Sequence, residues 1–163
     1  MRVIGVISDT HGALPESYEV FFRGCDEIWH AGDIGTLEVL NKLKETAKVR
    51  AVWGNIDGQD IRLETKEHLF FELEDQRIFV RHILGYPGKY EKAVLPLLLN
   101  LKPTMVVAGH SHILSIIKDV EHSWLYLNPG AAGKYGFHLK RTMVKFVLDE
   151  GKIFDLEVWE KNK

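Results

Sequence analysis

The 163-residue chain carries 21 Lys and Arg against 23 Asp and Glu, a net charge of −2, with 45% hydrophobic and 27% charged residues. That balance predicts one folded domain with a sizeable core; it excludes intrinsic disorder and a basic surface for non-specific nucleic-acid binding, which rests on neutralising phosphates. One cysteine, Cys25, makes neither an intramolecular disulfide nor a thiolate-rich zinc site, and no stretch approaches the roughly 20 apolar residues of a membrane helix.

The first residues, Met1-Arg2-Val3-Ile4-Gly5, run straight into a strand rather than a signal peptide, so a cytoplasmic protein is expected. Residues 3–7 read as a short buried strand, followed by the turn-rich Ser8-Asp9-Thr10-His11-Gly12. Residues 16–22 read as a helix with Pro15 placed for its first turn, and residues 27–30 as a strand closing at Ala31-Gly32-Asp33. Leu37, Leu40 and Leu43 stand at helical spacing behind Thr36, a candidate N-cap; residues 48–53 are strand-like and end at Gly54-Asn55. This rhythm predicts parallel strands with crossover helices. Residues 69–73 and 77–81 predict an antiparallel hairpin around Glu74-Asp75-Gln76. Residues 90–101 predict a packed helix that Pro96 must kink or shorten. Residues 105–108 form another buried strand, leading into Gly109-His110-Ser111-His112, and runs at 113–117, 124–127, 143–148 and 153–159 read as further strands. Asp149-Glu150-Gly151-Lys152 is a hairpin signal between the last two.

Five apolar runs share one property: each ends in residues able to ligate a metal. They lead to Asp9 and His11, to Asp33, to Asn55, to His82, and to His110 and His112. In open α/β sheets ligands bind beyond the carboxyl ends of the strands, so strands lying side by side would bring these side chains to one edge. Glycine directly before Asp33, Asn55 and His110 fits, because it turns sharply or admits close backbone approach. Each piece alone has an ordinary explanation: Gly-Asp and Gly-Asn are common turns, and a lone histidine such as His82 is usually a hydrogen-bonded structural residue. The ordered set favours a metal site, and its oxygen and imidazole donors suit Mn, Fe, Zn or Ni.

The order Asp9-x-His11, Gly32-Asp33, Gly54-Asn55, His82, Gly109-His110-x-His112 closely resembles the calcineurin-like metallophosphoesterase superfamily. With the short length and the Asn128-Pro129-Gly130 segment, the chain is most similar to the small bacterial and archaeal phosphodiesterase branch, over residues 1 to about 133. The resemblance implies an α/β fold, a four-layer αββα sandwich of two mixed β-sheets flanked by helices, in a single domain of residues 1–163. It implies a dinuclear site with Asp9, His11, Asp33 and His112 at one ion and Asp33, Asn55, His82 and His110 at the other, Asp33 bridging. Asp33, Asn55, His82 and His110 are the residues it casts in catalysis. The implied cofactors are two divalent ions, Mn²⁺ foremost. The implied function is a phosphoesterase, most simply a phosphodiesterase, in which a metal-bridging hydroxide attacks phosphorus in line. The expected partner is a small phosphoester substrate, with no membrane; the family's varied assemblies leave a homo-oligomer open. The alternative is a non-catalytic metal-binding scaffold resembling the retromer subunit of the same fold. That branch has lost part of the metal set, notably the last histidine, and His112 is present here.

The chain also departs from the pattern. Ile56 stands where many members carry a histidine that protonates the leaving group, a role worth about 10²–10⁴-fold. Its loss predicts a preference for good leaving groups such as aryl phosphodiesters. Asp57 and His138 are substitute proton donors, each more simply a surface or supporting residue. Ile83 follows His82 where glycine is common, so a different local loop is expected; Ile34-Gly35-Thr36 after Asp33 does not match the Asp-Arg-Gly of large Ser/Thr phosphatases. His30 reads equally as a hydrogen-bond partner of the site and as a structural histidine, and Asn128 as a turn residue or one lining the site. Trp29 and Trp53 read as core more simply than as substrate platforms, Lys134, Lys140 and Arg141 as a solvated basic face more simply than as contacts to a substrate phosphate, and residues 86–90 and 134–138 as the candidate specificity rim.

Overall fold

The computed structural model describes residues 1–163. In chain order it runs β1 (Arg2–Ile7), α1 (Tyr18–Phe21), β2 (Glu27–His30), α2 (Leu37–Thr46), β3 (Lys48–Ala51), α3 (Gln59–Glu64), β4 (His68–Leu73), β5 (Gln76–Arg81), β6 (Gly85–Tyr86), β7 (Lys89–Tyr90), α4 (Leu95–Leu101), β8 (Met105–Val107), β9 (Leu114–Asp119), β10 (Trp124–Pro129), β11 (Lys140–Asp149) and β12 (Lys152–Asn162). Two five-stranded mixed sheets result, in the orders β12-β11-β1-β2-β3 and β4-β5-β8-β10-β9. In the first, β1, β2 and β3 are mutually parallel; in the second, β5, β8 and β10 are.

Side-chain alternation along these strands builds the layers, because successive residues face opposite sides of a sheet. Ile4 and Val6 of β1, Trp29 of β2, Ile78 and Val80 of β5, Met105 and Val107 of β8 and Leu127 of β10 meet in one core between the sheets. The opposite positions, Ile7 and Ile28, pack with Phe22, Leu40, Leu43 and Ile61 under α1–α3. Phe79, Val106, Trp124 and Tyr126 pack with Val94 and Leu98 of the α4 segment. Helices, sheet, sheet, helix is the expected four-layer sandwich, and both sheets are mixed. No helix is long and apolar enough to cross a membrane.

The departures from expectation are local. Helix α4 starts only at Leu95, which puts Pro96 in its first turn, where a missing N–H costs nothing. Helix α1 shrinks to Tyr18–Phe21, and the chain turns away at Gly24 with φ +83°. Helix α3 and the small β6–β7 hairpin were not anticipated. Strand β12 extends to Asn162, and β10 carries Asn128 and Pro129 as its last residues rather than as a free turn.

Candidate metal centre

The seven candidate ligands do not share one sheet edge. They gather where the carboxyl ends of β1, β2 and β3 in one sheet face those of β5 and β8 in the other. Hydrogen bonds across the sheets fix this meeting: His82 Nδ1 lies 2.7 Å from the Ala31 carbonyl, and the His110 N–H donates to Asp9 Oδ2 at 3.1 Å. Asp9, Asp33 and His82 are buried at the floor, His11 and His112 half-buried above them, and Asn55 and His110 exposed at the mouth. Donor atoms of Asp9, His11 and His112 lie within 4.8 Å of one another, as do those of Asp33, His82 and His110. Asn55 lines the same cavity, of about 510 Å³.

The backbone is contorted to achieve this. Asp9, His11, Asp33, His110 and His112 have φ of 53°, 45°, 53°, 69° and 62°, the left-handed region. Such conformations cost of order 1–3 kcal/mol each for non-glycine residues; Asp and His tolerate them better than most. Strain concentrated on chemically active side chains marks a functional centre. The glycines of the motifs serve by close approach: a Cβ on Gly54 would collide with the Asp33 carboxylate, and one on Gly109 with Ser8 Oγ.

Each carboxylate spends one oxygen on the protein and leaves the other aimed at the imidazoles. Asp9 Oδ2 accepts from Ser8 Oγ (2.7 Å) and from the His110 N–H, while Asp9 Oδ1 faces His112 Nε2 at 3.2 Å. Asp33 Oδ1 accepts from the Ile56 N–H at 3.1 Å, while Oδ2 lies 3.2 Å from His82 Nε2 and 3.4 Å from His11 Nε2. These approaches lack hydrogen-bond alignment, and Asp9 Oδ1, His11 Nε2 and His82 Nε2 are buried without partners. Buried polar atoms are almost always paired. Orphaned carboxylate and imidazole donors, divided between the Asp9–His11–His112 and Asp33–His82–His110 groups, therefore fit divalent cations, which such oxygen and nitrogen atoms bind.

Backbone carbonyls set the histidine tautomers. A carbonyl only accepts, so His82 Nδ1 carries the proton given to Ala31 O and Nε2 is left to face Asp33. A longer relay governs His112. His138 Nε2 donates to Gly133 O at 2.8 Å, so its Nδ1 accepts from His112 Nδ1 at 3.1 Å and His112 Nε2 is left bare toward Asp9. Burial, with the neighbouring His112, holds the His138 imidazole below its ordinary pKa and so neutral. At His82 burial also disfavours charge, but the Asp33 and Asp9 carboxylates outweigh it and raise the pKa. Asp33 shows the mirror image: burial pushes its carboxyl up, and His82, the Ile56 N–H and His11 bring it below the usual range. The field that favours a proton between these groups equally favours a metal cation.

Supporting residues tie the ligand loops together. His30 is fully buried; its Nδ1 accepts from the Gly32 N–H at 3.1 Å and its Nε2 donates to Thr10 Oγ1 at 2.9 Å. Burial drops its pKa to about 3, so it stays neutral and bridges the Asp9 and Asp33 loops without touching either carboxylate. Asn128 Nδ2 donates to Gly109 O (2.9 Å) and Ser111 Oγ (3.0 Å), steadying the loop that carries His110 and His112. Asp57 does not serve as a proton donor: its carboxylate accepts from the Ile34, Gly35 and Gly54 N–H groups and clamps two ligand loops. His138 is likewise committed at both nitrogens. Arg141 is buried, not solvated, and donates to the Ala132 and Ala13 carbonyls. Trp53 lies half-buried under the Arg62 guanidinium, 3.9 Å away. Of the two expected rim segments, Tyr135–His138 lines the cavity and Tyr86–Tyr90 does not. The thiol of Cys25 is buried and pushed up to about 11, unsuited to nucleophilic attack.

A two-sheet α/β sandwich holding carboxylates and imidazoles at the ends of its central strands defines a protein with a candidate two-ion metal centre. The chain belongs to the calcineurin-like phosphoesterase superfamily, whose domain matches residues 1–151. It is 36% identical over 165 residues to a probable metallophosphoesterase of Methanocaldococcus jannaschii, covering 95% of this chain and 82% of that one. Among solved structures it is similar to an archaeal phosphodiesterase (TM-score 0.76, 22% identity, 96% and 99% of the two chains). It is also similar to Vps29 of Entamoeba histolytica complexed with Zn²⁺ (TM-score 0.70, 17% identity, 97% and 98%). At those identities the structural likenesses speak for the fold.

Proposed function

We propose that this protein is a dinuclear phosphodiesterase acting on small phosphodiesters with Mn²⁺ as its working metal. The observation that carries the reading is the pair of three-donor clusters, Asp9–His11–His112 and Asp33–His82–His110. Asp33 Oδ2 faces His82 of its own cluster and His11 of the other at nearly equal distance, which supports a bridging role. Asn55, exposed on the same cavity wall, completes the second set. When bound, two such ions make a water acidic enough to attack phosphorus at neutral pH and offset charge on the phosphoryl oxygens. The protein's own part is to hold donors bare and fixed, through the Ala31 and Gly133 carbonyls, Ser8 and the Ile56 N–H. No Lys or Arg lines this cavity, and the two arginines of the adjoining cleft beside Asn55 and His82 are engaged elsewhere, Arg62 with the Asp57 carbonyl and Arg81 with Glu67 and the Ile83 carbonyl; this favours a singly charged diester over a phosphomonoester.

Metal-stripped protein assayed on bis(p-nitrophenyl) phosphate is expected to gain turnover with Mn²⁺, and Asn55→Ala and His110→Ala are expected to lose it. Absence of turnover with every divalent metal, in protein shown to be folded, would overturn the enzymatic reading in favour of the scaffold alternative.

A further inference from the structure

The mouth of the metal cavity is walled by apolar side chains that nothing in the fold requires there. Ile56, Ile113, Tyr135 and Phe137 line it beside the candidate ligands, and Ile113, Tyr135 and Phe137 are 66%, 73% and 104% exposed. Burial in a core would repay such residues; here they face solvent around one concavity.

The segment that presents two of them is built onto the centre rather than trailing past it. Ala132 N–H donates to Ser8 O at 2.9 Å and Gly133 N–H to Asp9 O at 3.0 Å, stitching the segment to the first ligand loop. Gly136, at φ +128°, lies so close that a Cβ would strike the His112 ring. The Tyr135 ring stacks on His11 with centroids 5.3 Å apart and an interplanar angle of 29°. A short anchored arch thus sets a tyrosine and a phenylalanine on the wall of the cavity that His11, Asp33 and His110 also line, and no cationic side chain belongs to that lining; Lys163, whose amine donates to the Gly136 carbonyl, lies outside it. Aromatic faces without charge recognise flat, uncharged groups by stacking.

We propose that Tyr135 and Phe137 form a stacking subsite for a planar aromatic group esterified to the phosphate, a simple aryl ring or a nucleobase. The inference rests on the phosphodiesterase reading and adds the substrate class. Its test holds the leaving group constant as p-nitrophenolate and varies the ester group that remains: methyl, phenyl or thymidine-5′. The phenyl ester, the thymidine ester or both are expected to exceed the methyl ester by about ten-fold in kcat/KM, the order of one stacking contact. Whichever ester gains identifies the source of the ring. Phe137→Ala is expected to collapse that ratio toward one and Phe137→Trp to restore it. Phe137 is wholly exposed, so its removal leaves the core intact.

Calorimetry of phenylphosphonate against methylphosphonate on the Mn²⁺-loaded protein reads the subsite independently of turnover. Tighter phenylphosphonate binding that Phe137→Ala abolishes supports it. Equal binding of the two, or a phenyl preference unchanged in Phe137→Ala, overturns it. Failure to hydrolyse any of the three esters would count against the phosphodiesterase reading itself, and the calorimetric comparison would still decide the subsite.

Discussion

Asp33→Asn is expected to lower kcat/KM for Mn²⁺-dependent diester hydrolysis by at least ~10³-fold, because a bridging carboxylate serves both metal sites and Lewis-acid stabilisation is worth several kcal/mol. Asparagine keeps the side-chain size, tolerates the left-handed backbone at φ 53° and still accepts the Ile56 N–H. What it removes is the charge on Oδ2, the atom facing His82 and His11. The metal-free variant is expected to unfold at a somewhat lower temperature than the metal-free wild type while remaining folded at assay temperature, because His82, the Ile56 N–H and His11 favour the Asp33 charge more than burial penalises it. Thermal denaturation beside steady-state kinetics separates the two effects. Turnover within ten-fold of wild type would remove Asp33 from the bridging position.

The second large effect concerns the leaving group. With Ile56 in place of a histidine, and with Asp57 and His138 consumed by structural hydrogen bonds, the motif position and both of its substitutes are lost as donors to a departing alkoxide. Rates of the wild type are expected to fall steeply as leaving-group pKa rises. Ile56 is half exposed on the cavity wall, and its contribution to Asp33 comes from its backbone N–H, which any residue but proline retains. Ile56→His is therefore expected to raise kcat/KM for alkyl leaving groups by about 10²–10⁴-fold, with little gain for p-nitrophenolate, which needs no proton. A flat dependence on leaving-group pKa in the wild type, or equal gains for both classes in the variant, would refute the assignment.

Much of this was legible in the residues. Apolar runs of β-branched residues revealed most strands, and the ligand residues stood out because Asp, Asn and His directly after buried strands serve no packing purpose. The strand-pairing pattern was less visible. Nothing in Ala51-Val52-Trp53 or Val106-Val107-Ala108 says which strands share a sheet, so the division of the centre between two sheets emerged only in three dimensions. Helix α3 escaped because Ile61 is its only buried residue, leaving no periodicity to read. The roles of Asp57 and His138 were hidden for a related reason: a hydrogen bond to a backbone group depends on where distant loops lie. The left-handed backbone at five candidate ligand positions leaves no trace in sequence beyond the tolerance of Asp and His for it. The aromatic arch was invisible too, since Lys134-Tyr135-Gly136-Phe137-His138 reads as an ordinary loop until Gly133 and Gly136 pin it to the centre.

Two cations sharing the Asp33 bridge are the centre on which the proposed chemistry depends. Titrating metal-free protein with Mn²⁺ by calorimetry, with native mass spectrometry to count bound ions, measures this directly. Two ions per chain are expected in the wild type, with both affinities weakened in Asp33→Asn. Binding of one ion or none by folded wild-type protein, or a second ion indifferent to Asp33→Asn, would contradict the dinuclear centre.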